Sequence, residues 1–217
     1  MKYGESIFDI IYLTFAIAAG IYILRRRKDQ IGKIMGSAVL ILGCGDAFHL
    51  IPRVLNYFAN ADFTAWLGFG KLVTSLTMTV FYVLMYRLWL CVYGEQESKQ
   101  VKVTIYAFSI VRIILCLVPQ NRWLANESSV MWGIIRNIPF VCIGVIVICI
   151  YYRNRAKENT LRSVWMLVAL SFLFYIPVAV GAGAITMLGM LMLPKTVCYM
   201  ILICIFIRYA GSRTAKN

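Results

Sequence analysis

Seven apolar runs, each about as long as a membrane-crossing helix, make up most of this chain. A helix rises about 1.5 Å per residue, so about 20 residues cross a hydrocarbon core ~30 Å thick. The runs fall at approximately 6–24, 33–56, 65–92, 101–119, 130–152, 161–181 and 185–209. The loops between them are short, and no long polar linker divides the chain. The expectation is an all-α fold: one polytopic bundle of seven transmembrane helices, forming a single domain over 1–217. Charged residues are only 14% of the 217, against about 25% in a soluble domain.

The net charge of +13 could point to nucleic acid, but its distribution argues against that partner. Basic residues cluster in short runs between the apolar segments, as in the positive-inside pattern. Fifteen of the 22 fall on one side, among them the "RRRK" cluster Arg25–Lys28 and Arg153, Arg155 and Lys157. Only Lys2, Arg53 and Arg122 mark the other side. This places the N-terminus outside, the C-terminus in the cytoplasm, and the protein in the cell membrane as a multi-pass chain. The first run is followed by its basic cluster, so it reads as an uncleaved helix and not a signal peptide. The sequon at Asn126 would face outward. The seven cysteines lie in apolar segments without a CxxC pair and read as buried, reduced and structural.

Four basic residues, Lys71, Arg112, Arg136 and Lys195, lie within the runs. A charge in lipid costs several kcal/mol, so these should face the bundle interior or a wet cavity. Arg112 and Arg136 stand near enough to the outer ends to snorkel. Lys195 sits about ten residues into its run, about 15 Å deep.

The stretch "GCGDAFHLIPRVL" (43–55) places Asp46, His49 and Arg53 at i, i+3 and i+7, on one helix face. Lys71, Thr74, Ser75, Met78 and Tyr82 form a second stripe, and Lys195, Cys198 and Tyr199 a third. Glu5, Asp9 and Tyr12 share a face near the start. Five prolines, at 52, 119, 139, 177 and 194, lie at mid-depth or toward the outer face. Together these predict an outward-opening polar cavity with an excess of cations.

A weak duplication supports the same picture. Aligning the Ile-Pro pairs of "HLIPRVL" and "FYIPVAV" sets Asp46 opposite Ser171, with Lys71 nineteen residues after Pro52 and Lys195 eighteen after Pro177. The resulting plan is 3+1+3: parallel repeat halves 6–92 and 130–209, with 101–119 as linker helix. Parallel repeats place substrate sites at their interface near mid-membrane.

One histidine and no clustered carboxylates or thiolate pairs argue against a metal site. No GxSxG or P-loop is present. "LILGCGDAFHL" (40–50) resembles the Gly-Asp helix of the lysoplasmalogenase family of small membrane hydrolases. That resemblance implies Asp46 as the family's acid. Where the family carries a later Ser-Asp pair, this chain reads Ser171-Phe172. "FLFYIPVAVG" (172–181) and "LPKTVCYMILI" (193–203) resemble the last two helices of the microbial rhodopsins. There the resemblance implies Lys195 as the retinal-holding lysine. The run 65–92 has no carboxylate to act as its counterion, which leaves Asp46 to substitute.

The reading from the residues is a site for a small or amphipathic anion, bound or transported without a cofactor. Its ligand residues are Asp46, His49, Arg53, Lys71, Ser75, Arg112, Arg136, Lys195 and Tyr199. Lys71 and Lys195 supply paired cations from the two halves, and Asp46 neutralises them when the site is empty. His49, whose ordinary pKa lies near ambient pH, tunes or relays protons. The alternatives are an intramembrane lipid hydrolase with Asp46 and His49 as acid and base, and a non-catalytic accessory subunit. A bundle whose acids simply pair with its cations would hold no ligand. Membrane lipids are the expected surroundings, and the oligomeric state is left open.

Overall fold

A computed structural model describes residues 2–59, 61–96, 98–125, 129–181 and 186–212. The sequon at Asn126 and the basic residues Arg213 and Lys216 lie outside the described residues. Seven helices form: α1 (Lys2–Arg26), α2 (Gln30–Phe58), α3 (Thr64–Tyr93), α4 (Lys99–Leu117), α5 (Val130–Arg153), α6 (Val164–Gly181) and α7 (Met192–Ser212). Each lies in a stretch long and apolar enough to cross a membrane, so the chain is a multi-pass membrane protein. Among the described residues there is no strand.

Local chemistry sets the ends. Asp29 caps α2 by accepting from the Gly32 N–H at 2.8 Å, and the Arg27 guanidinium clamps both oxygens of the same carboxylate at 2.7 Å. A side-chain oxygen there satisfies one of the donors that a helix start leaves open. Gly94 closes α3 at φ +61°, a left-handed conformation that costs glycine little. Pro119 lies beyond α4, where it opens a short 3-10 turn. Pro52, Pro139 and Pro177 are inside α2, α5 and α6.

The seventh run differs from expectation. Thr186–Leu191 is a 3-10 segment, and the α-helix begins only at Met192. Lys195 is therefore the fourth residue of α7, closer to the helix start than the length of the apolar run implies. Pro194 explains the late start: it lacks an N–H and is tolerated in a helix's first turn.

The helices pack in chain order, α2 against both α1 and α3, and α6 against both α5 and α7. Small residues allow the closest approaches. A Cβ on Gly45 would collide with the Thr77 side chain, and one on Gly70 with the Phe48 carbonyl and the His49 Cα. The core is aromatic and aliphatic, with Tyr12, Phe81, Tyr82, Met85, Tyr86 and Phe206 all essentially inaccessible. Ile10, Ile11, Ile110, Ile114 and Leu173 face outward, the surface a bilayer would cover. All seven cysteines are free. Cys116 and Cys198 are buried as expected, but Cys44, Cys149 and Cys204 are exposed on the apolar exterior, where their weakly polar thiols cost little.

Candidate functional site

α1, α3, α5 and α7 start, and α2, α4 and α6 end, at the same face of the bundle. A cavity of about 490 Å³ lies in that half. Its volume falls within the ordinary range for small-molecule sites. It brings together six of the nine residues expected at the site: His49, Lys71, Ser75, Arg112, Arg136 and Lys195. Among the described residues lining it, four are basic and none is acidic.

Each cation is held differently. Arg112 of α4 is only 2% exposed, so it does not snorkel to the interface. Its guanidinium carbon lies 3.3 Å from the centre of the Phe140 ring on α5. Its Nε and Nη1 have no hydrogen-bond partner among the described residues. Arg136 lies one turn before Phe140. Its Nη1 donates to Asn121 Oδ1 at 2.7 Å, and its guanidinium stands 4.3 Å from the Trp123 ring. Asn121 can aim that oxygen because its own amide donates to the Leu115 and Val118 carbonyls at the end of α4. Lys195 Nζ lies 4.8 Å from the centre of the Tyr175 ring and 5.7 Å from that of Tyr199. On α3, Ser75 donates to the Lys71 carbonyl at 2.8 Å and Thr74 to the Gly45 carbonyl at 3.1 Å.

Three expected residues stand elsewhere. Tyr199 is buried beneath the cavity, its hydroxyl 3.0 Å from that of Tyr82. Asp46 turns toward α1 and accepts from the Tyr12 hydroxyl at 2.7 Å. Arg53 also turns to α1, donating to Glu5 at 3.1 Å, and Tyr57 donates to the same carboxylate oxygen at 3.0 Å. Asp9, 4% exposed, lies on this side with Arg53, Asp46 and Glu5 as its charged neighbours. Among the described residues Asp46 has no ion pair with Lys71 or Lys195, so the arrangement in which Asp46 neutralises them directly is not formed. Asp46 acts on Lys195 only through space.

The cavity also has residues not singled out beforehand: Trp123, Asn137, Phe140 and Tyr175. Asn137 was detectable as a polar residue inside a run. Its amide donates to the Gly133 carbonyl at 2.8 Å, and its oxygen accepts from Tyr175 at 2.7 Å. The aromatic residues carried no such signal, since aromatics are spread along every run. Among the described residues no group of three or more His, Cys, Asp or Glu side chains is placed to hold a metal ion.

Comparison with family models, curated proteins and solved structures returned no match to this chain. The two resemblances rest on the residues quoted for them.

Proposed function

We propose that the chain resides in the cell membrane with its N-terminus outside and binds a small or amphipathic anion in the cavity, as a receptor or transporter would. The observation that carries this reading is Arg112, a guanidinium removed from solvent whose Nε and Nη1 have no hydrogen-bond partner among the described residues, in a cavity that a second cation, Lys195, also lines. A buried charge left without hydrogen bonds costs free energy that an incoming anion recovers. The aromatic rings of Phe140 and Tyr175 offset part of that cost in its absence. The hydrolase reading draws less support, because Asp46 is bonded to Tyr12 and away from the cavity that His49 lines.

Mass spectrometry of small molecules released from gently purified protein tests the reading, with the Lys71→Ala/Lys195→Ala double variant alongside. One discrete anion released by the wild type and missing from the variant supports a ligand site. Bulk lipid alone in both samples sinks it.

A further inference from the structure

A second basic recess lies at the opposite face, in the link between α5 and α6. Two backbone turns curl that link. The Lys157 N–H donates to the Asn154 carbonyl at 3.0 Å, and the Leu161 N–H to the Glu158 carbonyl at 3.2 Å. They wrap Arg155, Ala156, Asn159 and Arg162 around a space of about 350 Å³. Two of these four residues are basic and none is acidic. Glu158 adjoins Asn159 in the chain but does not line the space, and Lys157 is turned to Glu95.

Arg155 is held in place by its own helix end. Its guanidinium carbon stands 3.9 Å from the centre of the Tyr152 ring, and its Nη1 donates to the Tyr152 carbonyl at 2.8 Å. A guanidinium has five N–H donors in a planar fork that matches phosphate oxygens. Tyr152 also joins the recess to the surface a bilayer would cover. Its ring meets that of Trp165 edge-on, with 5.0 Å between centres. Such rings are enriched where a span leaves the hydrocarbon. Val145, Cys149 and Tyr152, at i, i+4 and i+7, are all exposed, so an apolar stripe runs along α5 up to the recess. A soluble anion would use the arginines alone, whereas a lipid uses the arginines and the stripe together. Basic pockets beside spans hold anionic headgroups in this way. We propose that the α5–α6 link is a binding site for an anionic phospholipid, with its phosphate on Arg155 and Arg162 and an acyl chain along Val145, Cys149 and Tyr152. Arg112 and Lys195 play no part in it.

Native mass spectrometry of the full chain in detergent tests this, with phosphatidylglycerol and phosphatidylcholine of identical chains in competition. The wild type should retain phosphatidylglycerol preferentially. Arg155→Gln and Arg162→Gln should each cut that preference about fivefold, and the second variant guards against a first that fails to fold. Arg153→Gln removes the same charge from the last turn of α5, outside the recess, and should leave the preference unchanged. No preference in the wild type, or an equal loss in Arg153→Gln, would overturn the site. Glycerol 3-phosphate, a headgroup without chains, should not displace the lipid at equal concentration. Displacement would assign the recess to a free phosphate ester and overturn the lipid.

Discussion

The α1–α2 side and the α3–α7 side of the bundle treat charge in opposite ways. On the first, Glu5 receives Arg53 and Tyr57, and Asp46 receives Tyr12. On the second, Arg112 and Lys195 rest on aromatic rings, and Arg112 Nε and Nη1 have no hydrogen-bond partner among the described residues. Glu5 and Asp46 are engaged within one hairpin, Asp9 Oδ2 has no hydrogen-bond partner among the described residues, and Asp46 acts on Lys195 only through space. Polar bonding in the first region holds two helices together, whereas in the second Arg112 and Lys195 meet aromatic faces.

The contrast can be broken outright at the seam between the regions. Gly70→Val drives a side chain into the α2 backbone at Phe48 and His49, and is expected to cost more than about 3 kcal/mol. Thermal unfolding in detergent would show it, and a wild-type melting temperature would mean that α2 and α3 have room to separate. Arg112→Met probes the cavity alone. Removing a buried charge for an apolar chain of similar volume is expected to leave the unliganded fold as stable or more so. It should nonetheless weaken binding of the anion released from the wild type by more than about 30-fold, the scale of losing one side of a desolvated charge pair. Tyr12→Phe probes the other side. Asp46 loses its donor, stability falls by about 1–3 kcal/mol, and affinity for that anion stays unchanged. A large affinity loss there would mean that the two regions are energetically one.

The smallest effect is expected at the opposite face, where a charge pair sits outside the spans. The Arg27 guanidinium bonded to Asp29 holds that carboxyl below the usual carboxylate range. A lowered folded-state value stabilises the fold above the ordinary pKa, and the benefit fades as pH falls below about 4. Asp29 is half exposed, so the gain is modest. Asp29→Ala loses the α2 cap, about 1 kcal/mol, and should flatten the acid limb of a stability–pH profile. An unchanged limb would assign it to other carboxyls.

Seven helices were legible because spanning lipid leaves a strong signature in run length and hydropathy. The cavity cations were legible because a charge inside a run needs a special reason. The partition of the α2 stripe was not. At about 100° per residue, His49 stands about 60° round the helix from Asp46, while Arg53 returns to within about 20° of it. A shared face therefore hides a split, and α1 and α3 on either side of α2 turn it into two environments. The start of α7 was missed for another reason: hydropathy reads the 3-10 segment Thr186–Leu191 and the helix after it as one continuous run. Phe140 and Tyr175 gave no warning because their role depends on which ring a cation meets, and that is fixed by helix packing alone.

The late start of α7 has an electrical consequence. Aligned peptide dipoles leave the equivalent of about half a positive charge at a helix's first turn. Lys195, three residues after Met192, adds an ammonium to that end, an arrangement that opposes the helix by about 0.3–1 kcal/mol. An anion at Lys195 would face the side chain and the helix field together and reverse the penalty. Occupancy should then slow amide hydrogen exchange at Met192, Leu193 and Lys195, so that the backbone itself reports when the cavity is filled.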